Sequence, residues 1–454
     1  MGDFTQTTTR PVSINPLISG ETKKRGGLDF RVYQELKTGI HRDLLNQVDL
    51  EKVATQRDDR TRRQVFAVIQ ELVSDLKTPL SAPEKERLSL EVLDEVFGLG
   101  PLEPLLQDPT ISDILVNGAK EVYVERAGML EEANIGFKDN AHLMHIIDKI
   151  VSAVGRRVDE SSPMVDARLA DGSRINVIIP PLAIDGPHLS IRRFGHIPIT
   201  EDDLMSNQTL TQPMLELLKG AVRSRLNIVI SGGTGAGKTT FLNVLSGYIS
   251  DKERIVTIED SCELQLKQRH VVRLECRPAN VEGKGAVMQR QLVINSLRMR
   301  PNRIIVGEVR SEEALDMLQA MNTGHDGSLT TIHANSPRDA IARMETMAMM
   351  ANLNLPEKAV RKQIASAITI VVQVARFNDG TRRVTHITEI TGMEDDVVSM
   401  QDVFLFEKQG VSPDGRTLGT FTATGIRPKF ADKLQASGIS LPANFFEQSV
   451  DLWR

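Results

Sequence analysis

The segment Gly232-Gly-Thr-Gly-Ala-Gly-Lys238-Thr239 constrains this chain more than any other stretch. It fits G-x-x-x-x-G-K-[ST] and lies between an apolar run, Leu226–Ser231, and the helix-like FLNVLSGY. Glycines at that spacing let backbone N–H groups close around phosphate oxygens, where a side chain would stand in the way. Lys238 then reaches the β- and γ-oxygens, and the Thr239 hydroxyl is placed to hold magnesium. Gly232, Gly233, Thr234, Gly235, Ala236, Gly237, Lys238, Thr239 and Thr240 are together the expected site for ATP and Mg2+.

The surrounding sequence has the texture such a loop requires. From about Leu210, Ile/Val-rich runs (LNIVISGG, RIVTIED, VVRLEC, RIIVGEV, SLTTIHA) alternate with helical segments. That alternation predicts an α/β domain over 206–454 with a largely parallel sheet and functional loops at the carboxyl ends of its strands. RIIVGEV ends in Gly307-Glu308, where P-loop enzymes place an acidic residue for the magnesium shell. Glu308 takes that role, directly or through water, although Gly-Glu replaces the usual hydrophobic run followed by Asp.

IVTIEDSCEL sets Glu259, Asp260 and Glu263 within five positions, and clustered carboxylates repel one another unless a cation or an arginine offsets them. Glu259 follows the strand most directly and is the expected general base. GHDGSLTTIHANSP carries His325 and His333 around a further strand. With no Cys or second ligand pair nearby, they suit hydrogen bonding to a γ-phosphate or a carboxylate better than metal ligation.

At 454 residues the chain calls for more than one core. Residues 1–26, rich in Thr, Pro, Ser, Gly and Lys, read as a disordered tail. Residues 27–98 carry three amphipathic segments; Val65, Ile69, Leu72, Val73 and Leu76 share one face, which predicts a small helical bundle. Lying apart from every nucleotide motif, the bundle is expected to dock a partner or regulate. Residues 99–205 turn to short alternating runs, ISDILVNG and KEVYVERAG, and to an Asp171-Gly172 hairpin turn, as in an α+β domain.

Composition excludes several classes. A net charge of -5, with one Trp and three Tyr, offers no basic, aromatic track for nucleic acid. Cys262 and Cys276 are too few for a disulfide framework or a four-ligand metal site and read as reduced thiols. No apolar stretch approaches the roughly 20 residues of a membrane-spanning helix, and the N-terminus lacks signal-peptide character. A cytoplasmic protein without a transmembrane segment is expected.

The order GGTGAGKTT, IEDSCEL, RPNRIIVGEVR and GHDGSLTTIHANSP resembles the Walker A, Asp box, Walker B and His box of the secretion-ATPase superfamily, over about residues 99 to 420. Within it, GPLEPLL, ISDILVNG, SPMVDARLADGSRINVIIPP and LSIRRF look like the CpaF-type branch, the motors of tight-adherence (Flp) pili. The tetracysteine zinc module of many type II secretion motors is absent. The resemblance implies a homohexameric ring in which a PAS-like domain precedes a RecA-like ATPase domain. It also implies recruitment to inner-membrane platform proteins of the pilus, with ATP hydrolysis driving pilus assembly and retraction. By position, Glu259 and Glu263 belong to the Asp box, Glu308 to Walker B, and His325 and His333 to the His box; the family's arginine contacts map onto Arg168, Arg174, Arg192 and Arg193. The alternatives are a type IV secretion traffic ATPase and a nucleotide-gated scaffold with little turnover.

Overall fold

The computed structural model describes residues 24–25, 28–47, 59–126, 128–169, 171–194, 199–277, 279, 284–351, 355–442, 444–447 and 449–452. Apart from residues 24–25, the tail expected over 1–26 lies outside them. A short pair, β1 (Lys24–Arg25) and β2 (Leu28–Asp29), precedes three helices, α1 (Phe30–Gln47), α2 (Asp59–Ser74) and α3 (Ala82–Phe97). Tyr33, Ile40, Val65, Ile69, Leu88 and Val92 form their common core. At the start of helix α3 the Ser81 backbone N–H and hydroxyl both donate to the Glu84 carboxylate.

The second unit is an antiparallel sheet of six strands: β3 (Ile111–Asn117), β4 (Glu121–Arg126), β5 (Met129–Glu132), β6 (Met164–Arg168), β7 (Arg174–Ile178) and β8 (His188–Arg192), in the order β5-β4-β3-β8-β7-β6. Strands β6 and β7 run antiparallel around the Asp171–Gly172 turn. Helix α4 (Asn140–Ala153) covers one face with Leu143, Ile146, Ile147, Ile150 and Val151. Its Lys149 reaches back to the carbonyl oxygens at the end of α3, 2.6 Å from that of Gly98. A cation there complements the negative end of α3 and ties the bundle to the sheet.

Because side chains alternate along a strand, each strand that buries one set of residues must present the other set on the opposite face. That second face carries a row of charges in direct register. Glu125 lies opposite Asp113, Asp113 opposite Arg192, Arg192 opposite Arg174, and Arg174 opposite Arg168.

The third unit is a ten-stranded sheet. Its parallel part comprises β9 (Ile228–Gly232), β10 (Ile255–Glu259), β11 (Val271–Glu275), β12 (Arg303–Val309), β13 (Leu329–His333) and β14 (Ile370–Arg376), in the order β11-β10-β12-β13-β9-β14. Both faces are covered, which explains the nearly continuous apolar runs. Ile228 and Ile230 enter one core while Val229 enters the other, and Ile370, Val372 and Val374 alternate in the same way with Val371.

The strands expected from the sequence end at SLTTIHA, which is β13, so the parallel β14 and everything beyond it are additions. Antiparallel β15 (Arg382–Glu394), β16 (Val397–Val411), β17 (Thr417–Ala423) and β18 (Ser449–Leu452) extend the sheet past β14. Of these, β15 and β16 are long, with mixed polar and apolar residues, and so lack the compact Ile/Val signature of buried parallel strands.

The amino-terminal edge of the parallel sheet is pinned by Arg303, which is fully buried. Its guanidinium donates to Glu253 (2.7 and 3.1 Å), to the Gly327 carbonyl (3.0 Å) and to the Val222 carbonyl (2.8 Å). Two loops and the end of the helix Gln212–Arg223 thus converge on one side chain. Glu253 also pairs with Arg225 (3.0 Å), so loss of Arg303 costs less than the about 3–5 kcal/mol of a buried charge left wholly unpaired. Arg303→Met takes this donor from the Gly327 and Val222 carbonyls and is expected to lower the unfolding free energy of the full chain by about 2–3 kcal/mol; a loss below about 1 kcal/mol would show that the loops hold without it.

Candidate active site

The loop after β9 turns through Gly235 and Gly237, both at positive φ (70° and 89°), before helix α5 (Lys238–Ser246) begins. At Gly232 a Cβ would stand 2.4 Å from the Val374 carbonyl oxygen of β14, so only glycine lets the strand pass. The residues expected to cradle phosphates, from Gly232 to Thr240, thus run from the end of a central strand into a helix N-terminus. A loop with no room for a Cβ at Gly232 and with positive φ at Gly235 and Gly237, followed by a lysine and a hydroxyl, fits a nucleotide polyphosphate.

Lys238 is nearly buried, with 7% of its surface exposed. Burial brings its amine down to about 8, with Glu308 opposing and Arg192, Arg310 and Arg343 adding to the fall. Its Nζ donates to the Gly233 carbonyl (3.1 Å) and lies 3.1 Å from His333 Nε2.

Glu308 owes its direction to a local irregularity. The register between β12 and β13 shifts between Val306 and Val309, so Gly307 and Glu308 lie in a β-bulge, a device that re-aims side chains. Thr331 Oγ1 holds the bulge through the Gly307 carbonyl (2.7 Å). Glu308 Oε1 lies 2.7 Å from His333 Nε2 and 4.0 Å from Lys238 Nζ, and Oε2 accepts from Arg310 Nε (2.7 Å). Burial keeps the His333 imidazole below its ordinary pKa, with Glu308 opposing and the neighbouring cations assisting. A neutral ring can use Nε2 either to donate to Glu308 or to accept from Lys238, but not both at once.

Glu259, 3% exposed, accepts the backbone N–H groups of Glu263 (2.8 Å) and Leu264 (3.0 Å) through Oε2. Its Oε1 is buried and finds no partner among the described residues, and burial raises its carboxyl pKa. At Gly307 a Cβ would meet Glu259 Cγ at 2.9 Å, which accounts for the glycine before Glu308. Asp260 pairs with Arg310 (3.1 Å). Burial pushes the thiols of Cys262 and Cys276 up to about 11 and 12, so both stay protonated at neutral pH.

The charged row of the second unit meets these elements. Arg174 pairs with Glu263 and Arg168 with Glu275, each at 3.1 Å, and Arg168 also donates to the Cys262 carbonyl (2.6 Å). Arg192 makes no side-chain hydrogen bond or ion pair among the described residues, yet lies close enough to lower the Lys238 amine. Arg193 is placed elsewhere. One residue on along the chain, it turns to the carbonyls of Asp108 and Ile111 within its own unit.

His325 is also separated from the site. It precedes β13 at the amino-terminal edge, whereas His333 ends that strand beside Gly232. Four residues at about 3.3 Å each put roughly 13 Å between the two ends of the strand.

Arg376 and Arg382, like Arg310, escaped the sequence reading. Arg382 Nε donates to the Gly235 carbonyl (3.0 Å) and Arg376 donates to that of Gly128; Glu125 faces both, at 4.0 and 3.6 Å. The β14–β15 hairpin therefore joins the phosphate loop to the charged row. Beside it opens a cleft of about 370 Å³ lined by Thr234, Arg376, Phe377, Gly128, Met129 and Leu130. The signal lay in VARFNDGTRRV, where Asp379-Gly380 closes a hairpin whose arms carry the arginines.

A protein-family model described as "Type II/IV secretion system protein" matches residues 95–412. The chain belongs to this family. A Mycobacterium tuberculosis protein named for conjugal transfer is 37% identical over 69% of this chain and 96% of its own length. The type IV secretion system protein VirB11 of Brucella suis is 31% identical over 70% of this chain and 94% of its own. The solved VirB11 ATPase of Brucella suis, in complex with sulphate, aligns with 29% identity over 64% of this chain and 95% of that one, at a TM-score of 0.35.

Arg382→Ala removes the hydrogen bond that holds the Gly235 carbonyl and is expected to weaken nucleotide binding about tenfold, the equivalent of roughly 1.4 kcal/mol. Titration calorimetry with a non-hydrolysable ATP analogue measures it. Unchanged affinity would mean that the hairpin only braces the fold.

Proposed function

We propose that this chain is a magnesium-dependent P-loop ATPase of a type IV secretion apparatus, working as a homohexameric ring of RecA-like domains, each preceded by a PAS-like domain. The observation that carries the reading is the meeting of Lys238, Glu308 and His333 at the end of the glycine loop, with Arg192 facing them from the second unit. The relatives named for conjugal transfer and type IV secretion favour this apparatus over the tight-adherence pilus suggested first by the sequence motifs. Coupling to an inner-membrane platform from the cytoplasmic side is part of the same proposal.

Among the described residues, no three His, Cys, Asp or Glu side chains form an all-protein metal cage. Magnesium is commonly held by one or two protein oxygens together with substrate phosphates, and the Thr239 hydroxyl and Glu308 carboxylate are hard oxygen donors suited to it. Bound there, it would neutralise charge on the β- and γ-oxygens. Lys238 leaves the Gly233 carbonyl for the phosphates, and His333 then keeps only its Glu308 contact. Glu259 accepts the proton of the water that attacks the γ-phosphorus as the bond to ADP breaks. Arg192 neutralises the equatorial oxygens.

Glu308→Gln is expected to bind ATP with affinity within a few-fold of the parent while kcat falls by about a hundredfold or more. Equal losses in binding and turnover would place Glu308 in the fold rather than the chemistry. Arg192→Ala is expected to lower kcat about a thousandfold, and Arg192→Lys to recover little of it. Because Arg192 faces the P-loop of its own chain, mixing Arg192→Ala with Lys238→Ala subunits should leave phosphate release at the sum of the two mutants. Recovery in the mixture would assign the arginine to a neighbouring subunit.

A further inference from the structure

Strand β14 reads IVVQVAR, and the polar residue in its middle, Gln373, is 3% exposed. Alternation puts Gln373 on the face of Val371, where Val229, Ile332 and Ala334 belong to the same apolar core. An aliphatic side chain would fit there with no polar group to satisfy. The amide itself is only half satisfied. Its Nε2 donates to the Ala334 carbonyl (3.1 Å), while Oε1 is buried and finds no partner among the described residues. Ser231, its register partner on β9, likewise buries a hydroxyl without a partner among them. Unpaired polar atoms in an apolar core weaken a fold, so a glutamine kept at this position points to a use for its one bond.

That bond spans the strand that leads into the phosphate loop. Strand β9 lies between β13 and β14, so the Gln373 side chain passes over Ser231, the residue before Gly232, to reach the far neighbour. Ala334, which it holds, directly follows His333, whose Nε2 contacts both Glu308 and Lys238. Beyond Ala334, the Ser336 hydroxyl accepts the Asp339 backbone N–H (3.1 Å) and caps the helix Pro337–Met349. The turn after His333 is therefore fixed at two points, and Gln373 is the one nearer the ring. On its other side, the register between β14 and β15 shifts between Gln373 and Val374, a bulge at the root of the hairpin that carries Arg376 and Arg382.

We propose that Gln373 is a positioning residue for ATP hydrolysis, holding the Ala334 carbonyl so that the His333 imidazole stays aligned on Glu308. The inference rests on the ATPase reading of the site. The ring moves with its own main chain, and a displacement of about one ångström would carry a 2.7 Å contact out of hydrogen-bond range. Once phosphates have drawn Lys238 away, His333 is the neighbour that keeps Glu308 Oε1 in place. The Gln373 amide bonds Ala334 and no residue of Gly232 to Thr240, so its loss leaves the phosphate cradle as it is.

The test is steady-state ATP turnover by the full chain with magnesium, together with its melting temperature. Gln373→Met keeps the length of the side chain but removes both the donor and the unpaired oxygen. The variant is expected to melt at or above the parent temperature, with kcat about tenfold lower and the KM for ATP within about twofold, as for one lost hydrogen bond that acts on the chemical step. In a His333→Ala background the same substitution should cost less than about twofold more, because the ring it aligns is gone. Unchanged kcat in Gln373→Met, a melting temperature several degrees below the parent, or a full tenfold loss on top of His333→Ala overturns the proposal and leaves the ATPase reading standing. Hydrolysis that survives Lys238→Ala removes that reading, and this inference with it.

Discussion

One carboxylate, Glu308, organises the candidate active site, because the groups around it would otherwise repel one another. Lys238, Arg310 and His333 converge on it from three elements, the phosphate-loop helix, the end of β12 and the end of β13. The carboxylate reaches them where a bulge interrupts the strand's alternation, and within that bulge Gly307 leaves room for Glu259. An amine brought down to about 8 by burial and neighbouring cations readily accepts a new anion. In the proposed function phosphate oxygens would supply that anion, and the contacts among Lys238, Glu308 and His333 would then change together.

The second unit contributes through strand pairing. Its helix covers one face of the antiparallel sheet, and alternation places Glu125, Asp113, Arg192, Arg174 and Arg168 in one line on the other. Like charges directly opposite on neighbouring strands destabilise a sheet unless something offsets them. Glu263 and Glu275 offset two of the arginines, and Arg376 and Arg382 meet Glu125 at the far end. Arg192, in the middle, is the arginine left to face the phosphate loop. Movement of this unit would therefore be felt at Glu263 on one side of the site and at the β14–β15 hairpin on the other.

Much of this was legible in the sequence, and the misses have physical causes. The glycine loop is readable because its backbone tolerates few residues, and the parallel strands because burial on both faces demands continuous Ile and Val. The bulge at Gly307-Glu308 was not readable, since it is a property of pairing rather than of one strand. Arg192 and Arg193 were treated as equivalents, although the alternation in LSIRRF sends adjacent residues to opposite faces. His325 and His333 flank one strand and so lie at its two ends. The hairpin arginines were missed because nothing local in VARFNDGTRRV signals that its strands close against the phosphate loop.

The central claim is that the loop from Gly232 to Thr240 takes a nucleotide whose phosphates displace Lys238 from the Gly233 carbonyl. Equilibrium binding of ATP and ADP to the purified full chain, with and without magnesium, tests it most directly. Saturable binding that tightens with magnesium, favours ATP and disappears in Lys238→Ala is the expected result. Binding that is indifferent to magnesium and survives Lys238→Ala would contradict the account.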